Sequence, residues 1–266
     1  MTDPAALQKL ITWLSPAFPV GAFAWSAGLE TAIADRRVTD AERLQNWIEG
    51  ALAHGGIRTD AILLAHAWRV VRETESGASP LSTSPTRGEV QFEALAAAVP
   101  QAPTDTSPLV GEAGREEATR TELAGLADLS LALTASRERW LEATITGDNY
   151  MLAAKHWPAD ILARLPQPCP YPVAVGAIAA AHDIELIDTL LAWLTATVHS
   201  QISVAVRLVP LGQSDGLSVL AALEPRVAAL AASAAKATLA DLGAIAYAAD
   251  IAQMRHETLE PRIFRS

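Results

Sequence analysis

Histidine and cysteine are the side chains of this sequence best suited to metal binding or nucleophilic catalysis. The six histidines are scattered along the chain at His54, His66, His156, His182, His199 and His256. None belongs to a His-Glu-x-x-His pair or to a Cys/His cluster with the spacing of metal ligands. The closest approach to a set of metal ligands, His182-Asp183 with Glu185, falls at a predicted helix boundary, where an aspartate commonly serves as a cap. The sequence therefore predicts no catalytic residue and no metal site.

Two single side chains leave alternatives open. Cys169 lies between two prolines in a predicted loop, so its thiol is expected to be accessible. It is either an ordinary loop cysteine or a soft-metal ligand shared across a dimer. His66 lies within an apolar helix and is expected to be a hydrogen-bonded core or interface residue.

Composition and charge argue against several classes of protein. Neither a P-loop nor a dinucleotide-binding glycine pattern occurs, so no nucleotide cofactor is expected. The formal net charge of −10 would repel nucleic acid at long range. A lone cysteine excludes an internal disulfide and favours a reducing compartment. The start resembles no secretory signal, and the apolar stretches are expected to be too short for a membrane span, which together indicate a cytoplasmic protein.

The elements that must position these residues are predicted to be helices. Half of the residues are hydrophobic, and Ala and Leu, both good helix formers, dominate them. A single all-α domain over residues 1–266 is expected, built as a bundle of about eight to ten helices. Thr39 and Glu42 have the spacing of a capping box for one of them. Helical patterns cover a first helix ending at Ser15-Pro16, then 39–55, 59–73, 123–146, 149–156, 173–182, 184–206, 217–234 and 238–258.

Residues 76–119 interrupt this pattern. Ser, Thr, Pro and Gly dominate there, and no helical period persists. We expect a disordered loop insertion within the domain, with a short helix at 90–98. A tolerated surface loop without a function is the simplest interpretation.

Residues 15–30 form a first junction between helices that is richer than a simple connector. Phe23 and Trp25 offer a large contact area, which suits either a corner of the core or a binding surface. The residues expected to shape its turns are Pro19, Gly21 and Gly28.

Residues 207–216 form a second junction, and residues 261–266 form a tail. Pro210 and Gly212 are expected to set a rigid turn between Arg207 and Gln213, which are candidates for a surface contact. In the tail, Phe264 lies between arginines, a composition typical of interface hot spots. The tail is thus either a docking segment or a frayed end.

These three segments together resemble the urease accessory protein UreF family. The resemblance consists of Pro-x-Gly-x-Phe-x-x-Ser-x-Gly-Leu-Glu from Pro19 to Glu30, Val-Pro-Leu-Gly-Gln from Val209 to Gln213, and His256 followed by Arg-x-Phe-Arg-Ser from Arg262 to Ser266. It covers about 220 residues, all but the 76–119 insertion. Trp25 stands where the family commonly has Tyr or His, and the tail reads Arg-Ile-Phe where Tyr-Ser-Arg-Leu-Phe is usual.

The resemblance implies a non-catalytic, all-α scaffold or chaperone without a cofactor. Such a protein forms a homodimer, joins the UreD/UreH accessory protein, recruits the UreG GTPase and helps deliver nickel to the urease apoenzyme. By the resemblance, the tail would meet UreD, and the second junction would face the dimer partner or the GTPase. The partner-binding residues it implies are Phe23, Trp25, Glu30, Arg207, Gln213, His256, Arg262, Phe264 and Arg265.

Two other functions are weighed against this scaffold. The first is a GTPase-activating protein, in which an exposed arginine such as Arg265 enters the site of UreG as a finger. The second is a helical hydrolase or metal enzyme, for which the sequence supplies no set of catalytic residues.

Overall fold

The chain folds as an all-α bundle. The computed structural model describes residues 3–75, 108–243 and 245–266, and within these ranges it contains ten α-helices and no β-strand, as predicted. Short 3-10 turns lie at Ala22–Ala24, Asp160–Ala163 and Leu239–Asp241. The helices are α1 (Pro4–Trp13), α2 (Leu29–Ala34), α3 (Ala41–His54), α4 (Gly56–Glu75), α5 (Pro108–Ala132), α6 (Arg137–Ala154), α7 (Tyr171–Ala181), α8 (Leu186–Leu208), α9 (Gln213–Ala234) and α10 (Tyr247–His256).

Helices α4 and α7 form the centre of the bundle. The run from Ala61 to Ala65 is buried, and so is every residue of α7 from Pro172 to Ala180. A helix that is apolar on all sides must be surrounded by other helices, which agrees with the central position predicted for 59–73. At the crossing, a Cβ on Gly176 would overlap the carbonyl oxygen of Leu64, so glycine permits the close approach of the two backbones.

The other helices pack around this pair. Helix α6 packs against α7, α8 lies beside α9, and α3 packs on α9. The amphipathic pattern of α3 buries Leu44, Ile48 and Leu52, as its 3.6-residue period predicts. The short helix α10 packs on α2 and on the start of α6, which brings the end of the chain close to the first junction.

Several helix ends differ from the sequence predictions. The cap of α3 is Asp40 and not Thr39, because the Asp40 carboxylate accepts the Arg43 N–H at 2.9 Å while the Thr39 hydroxyl donates to Asp40. The helix predicted over 238–258 is replaced by the 3-10 turn and by α10. Gly243, with φ of +104°, lies between these two elements, in a conformation that a helix cannot include.

The insertion predicted at 76–119 is too long at its C-terminal end. Residues 76–107, including the short helix expected at 90–98, lie outside the described residues. Residues 108–119 are the first turns of α5, where Glu, Arg and Ala are good helix formers. Thr119 packs against α4, with its hydroxyl 2.7 Å from that of Thr74.

The prediction that the Cys169 thiol is accessible is wrong. The side chain is fully buried against α6, and its N–H donates to the Asp148 carboxylate at 3.1 Å. Burial raises the pKa of the thiol well above its usual value. The buried thiol is therefore held in its unreactive neutral form.

His66 on α4 is half-buried, and its Nε2 atom has no hydrogen-bond partner. Burial, together with the positive charge of Arg69, lowers the pKa of the imidazole to about 4. The ring is therefore neutral in the folded chain at pH 7.

We predict that His66 makes the chain less stable in acid. The unfolded imidazole, with its ordinary pKa near 6.5, binds a proton before the folded one does, so stability falls as the pH drops from about 6.5 toward 4. In His66→Leu, the free energy of unfolding measured in urea should fall less between pH 7 and pH 5 than in the parent. The exposed His156→Gln should behave as the parent, and an unchanged pH dependence in His66→Leu would contradict the assignment.

We also predict that Gly176→Ala strongly destabilises the chain, because the added methyl meets backbone that cannot yield. The matched control is Gly125→Ala in α5, where no atom lies within 4 Å of the added Cβ, so the loss of unfolded-state entropy should make it neutral or stabilising by about 0.5–1 kcal/mol. Thermal and urea unfolding measure both. Equal effects of the two substitutions would refute the close crossing of α4 and α7.

Candidate functional site

The first junction is folded tightly against α10. Gly21 and Gly28 both adopt left-handed conformations, with φ of +78° and +79°, around the 3-10 turn. A Cβ on Gly28 would lie 2.8 Å from the backbone nitrogen of Gln253, so only glycine lets the chain pass this close to α10. The turn leaves Phe23 half exposed and buries Trp25.

The tail lies on this junction. The Arg265 N–H donates to the Ala24 carbonyl at 2.8 Å, and the Ser266 carbonyl accepts the Ser26 N–H at 2.5 Å and the Ser26 hydroxyl. The guanidinium of Arg265 stacks over the Trp25 ring at 5.8 Å. Phe264 is only 4% exposed and belongs to the main core. The tail is therefore packed against the first junction and the core as an integral part of the fold.

A buried cluster of charged groups, which we call the carboxylate cluster, lies beneath the tail. It consists of Glu30 on α2, Glu138 on α6, His256 on α10 and Arg262. The imidazole of His256 is fully buried, with Nδ1 2.7 Å from the Glu138 carboxylate and Nε2 2.9 Å from that of Glu30. Glu138 also accepts from the Arg262 guanidinium at 2.6 Å.

The same cluster binds the backbone of the tail. The Ile263 N–H donates to Glu30 Oε1 at 2.7 Å and the Phe264 N–H donates to Glu30 Oε2 at 3.0 Å. One carboxylate thus binds two amides of the tail and one ring nitrogen. Because the imidazole separates the two carboxylates, they face opposite nitrogens and do not converge on one position where a metal ion could bind. Among the described residues, no group of three or more His, Cys, Asp or Glu side chains is arranged to hold a metal.

The second junction meets the tail through Arg207. Its guanidinium lies over the Phe264 ring, 5.9 Å from the centroid. Gly212 caps α9, where its N–H donates to the Asp215 carboxylate at 2.9 Å. Arg207 and Gln213 line a shallow pocket of about 200 Å³ between α8 and α9.

An apolar groove of about 980 Å³ opens beside the first junction. Helix α1, the junction and α8 contribute much of its lining. Three large apolar side chains on it are exposed, Leu7 (49%), Ile11 (65%) and Phe23 (53%). Clustered apolar groups of this kind are typical of surfaces that contact another protein.

Comparison with known proteins decides the family. The family model described as UreF matches residues 38–224, most of the chain. The chain belongs to the UreF family. This confirms the resemblance to the family, although the first and third of the three sequence segments lie wholly outside the matched range.

Similar proteins extend the match over nearly the whole chain. The urease accessory protein UreF of Agrobacterium fabrum is 41% identical over 262 residues, covering 98% of this chain and 97% of that protein. The protein of the same name from Rhizobium etli is 40% identical over 261 residues, covering 98% and 96%. The urease accessory protein UreF 1 of Brucella canis is 36% identical over 265 residues, covering 99% and 96%.

Five of the nine predicted partner-binding residues of this UreF-family chain are exposed and four are buried. The exposed ones are Phe23, Arg207, Gln213, Arg262 and Arg265, and the buried ones are Trp25, Glu30, His256 and Phe264. All except Phe23 and Gln213 take part in holding the tail. Their roles in binding a partner stay predictions. While the tail is in place, the four buried residues cannot contact a partner directly and can act only by holding the tail in position.

Sequence reasoning missed Glu138 and Ser26 as partners of the tail. Ser26 lies within the first motif, and its position there was the available signal. No sequence signal marked Glu138 as a partner of the tail. It lies two residues after Ser136, the cap of α6, where an acidic residue in the first helical turn is ordinary. Sequence reasoning also missed a largely buried ion pair, Asp60 with Arg139, in the wall of the groove.

Two helices are long and apolar enough to cross a membrane, judged by length and composition alone. They are α8 and α9, so the expectation that all apolar stretches are too short is wrong on that criterion. In the bundle, 44% of the apolar window of α8 and 33% of that of α9 are buried. The criterion is weak evidence for a membrane span, because core helices of water-soluble proteins also satisfy it.

We predict that Glu30→Ala destabilises the chain by about 3 kcal/mol or more, since it leaves the buried Nε2 of His256 and the amides of Ile263 and Phe264 without their partner. Urea unfolding measures the loss. Glu117→Ala is the matched control, because its partner Arg120 is exposed and such pairs contribute about 0–1 kcal/mol. Similar losses in both variants would refute a structural role for the carboxylate cluster.

Proposed function

We propose that this chain is a urease maturation factor. It acts as a non-catalytic scaffold that joins the UreD/UreH accessory protein, recruits the UreG GTPase and supports nickel insertion into the urease apoenzyme. The observation that carries the proposal is the family membership, together with full-length relatives named urease accessory proteins at about 40% identity. Nickel is the cargo of the assembly in this proposal and is not bound by this chain alone.

The surface of the chain supports a role in assembly. The exposed side chains of Leu7, Ile11 and Phe23 offer apolar area for contact with another protein. Arg265 stacks on Trp25, which lines the groove, and its backbone is fixed by a hydrogen bond to Ala24. Arginine beside buried aromatic groups is a combination found in interface hot spots. The proposal includes a homodimer, for which the same groove offers an apolar face.

Co-purification tests the scaffold. Tagged chain, produced in cells together with UreD, UreG and the urease subunits, should retain UreD and UreG on the affinity resin. Ile11→Asp, which places a charge in the groove, should reduce retention at least tenfold, the effect expected when a hot-spot contact is lost. Leu152→Asp is the control, because Leu152 is similarly exposed (63%) but does not line the groove.

Absence of both partners from the eluate, with the chain folded and abundant, would contradict the scaffold. Equal retention by the two variants would contradict the groove as the contact surface. Light scattering of the purified chain measures the proposed dimer, and a monomer at micromolar concentration would exclude it.

A second candidate function rests on Arg265, which is exposed and stacked on Trp25. An arginine in such a position is available to enter the active site of UreG and stabilise the charge that develops during phosphoryl transfer. Mixing the two proteins should then accelerate GTP hydrolysis, and Arg265→Ala should abolish the acceleration. An unchanged hydrolysis rate on mixing would exclude this function.

A further inference from the structure

The apolar groove also has a charged wall. Asp60 on α4 and Arg139 and Glu142 on α6 line the same groove as the exposed apolar side chains of α1 and the first junction. We call these three charged residues the ion triad. Their side chains are 14–18% exposed, so they are largely buried but still reach the surface.

The charges of the ion triad do not balance. Arg139 pairs with the Asp60 carboxylate, and its Nη1 atom lies 3.1 Å from Oε2 of Glu142. One guanidinium therefore faces two carboxylates, which leaves an excess of one negative charge when both are ionised. Asp188 and Arg207 also line the groove, but they carry opposite charges at the two ends of α8 and leave this excess unchanged.

Glu142 is the member of the triad with the weakest contacts. Its Oε2 atom is buried and pairs with Arg139 without the geometry of a hydrogen bond. Burial raises the pKa of Glu142 and that of Asp60, and for both it outweighs the attraction of Arg139. The two ionised carboxylates are therefore costly in the chain alone, because a buried charge is stable only when it is paired. A second cation in the groove lowers that cost.

The rest of the groove has the shape of a helix-binding site. Leu7 and Ile11 lie one helical turn apart on α1, and both side chains are exposed. On α8, the small side chains of Ala192, Ala196 and Ser200 line the groove at four-residue spacing. Small side chains at a contact let two helices approach closely. Hydrophobic grooves of this kind bind the apolar face of an amphipathic helix.

We propose that the groove binds an amphipathic helix of a partner protein, and that a lysine or arginine of this helix pairs with the ion triad. The apolar face of the helix covers Leu7, Ile11 and Phe23. A lysine or arginine suits the site because its apolar stem lies along the groove while its charged end reaches the carboxylates. The inference rests on the proposed function, since it names the chemistry of the partner segment that the scaffold binds.

The charge of the triad makes the groove selective. A helix without a basic residue at this position excludes water from the triad and leaves the excess charge unpaired. A helix with an acidic residue there adds a like charge, which is less favourable still. One basic side chain thus distinguishes the partner segment from other amphipathic helices.

Photo-cross-linking of the full chain identifies the segment. Benzoylphenylalanine replaces Phe23, an exposed aromatic residue of the groove, and the chain is produced in cells together with UreD, UreG and the urease subunits. Irradiation and mass spectrometry should yield a peptide of one partner with apolar residues at helical spacing and a lysine or arginine within about two turns of them. The same replacement of Leu152, which does not line the groove, should yield no such peptide.

Glu142→Gln tests the charge contact, because it removes the excess charge and keeps the shape of the side chain. Affinity for the cross-linked partner, measured by titration, should fall at least about tenfold, as expected when one member of a buried charge pair is removed. The urea midpoint of the chain alone should not fall, because the neutral side chain avoids the cost of burying a carboxylate. A structural role alone would lower the midpoint.

Two further variants complete this test. Replacing the basic residue of the cross-linked segment with methionine should weaken binding to the parent by a similar factor and have little further effect on Glu142→Gln. Glu117→Gln makes the same change in net charge on α5, outside the groove, and should match the parent in affinity and in urea midpoint.

Three results would overturn the inference and leave the proposed function intact. The first is a cross-link from position 23 to a second copy of this chain, to a segment without a basic residue, or to no protein although partners are retained. The second is equal affinity of the parent and Glu142→Gln. The third is a loss of stability in Glu142→Gln as large as its loss of affinity. Absence of both UreD and UreG from the eluate of the parent would instead contradict the proposed function, and the inference with it.

Discussion

Two buried carboxylates, Glu30 and Glu138, fix the position of the last helix and of the tail. Each binds one nitrogen of His256, so α2, α6 and α10 are joined through one imidazole. The remaining bonds of these carboxylates go to Arg262 and to the amides of Ile263 and Phe264. Because a buried carboxylate without partners is costly, the helices and the tail must come together as a unit.

The bundle supplies the rigid frame for this cluster. The close crossing of α4 and α7 at Gly176 sets the centre, and α6 packs on α7, which places Glu138 at the base of the tail. The left-handed turn at Gly28 lets α2 begin directly against α10, which places Glu30 opposite. The position of the carboxylate cluster thus depends on the packing of the helices. The groove beside α1 stays open at the surface of this bundle.

Much of the fold could be predicted from the sequence, because its signals are local. The 3.6-residue period of Leu44, Ile48 and Leu52 and the apolar run of α4 determine their helices without tertiary information. The start of α5 was predicted too late and the break near Gly243 was missed, since glycine and polar residues there are compatible with either helix or loop.

The site was only partly predictable. The three motifs that mark the UreF family contain Glu30, His256 and Phe264, but the expected binding surface turns out to place these side chains inside the chain. Glu138 is 118 residues away from His256, and no local pattern connects the two. Contacts between residues this distant in sequence depend on the packing of whole helices, which composition and period do not specify.

The most direct measurement is a double-mutant cycle between Glu30→Ala and His256→Ala, with stability determined by urea unfolding at pH 7. If the carboxylate cluster joins the helices and the tail, the two residues should be coupled by about 1 kcal/mol or more, as found for side chains in one buried network. Additive losses, within about 0.3–0.5 kcal/mol, would contradict the central role of the cluster.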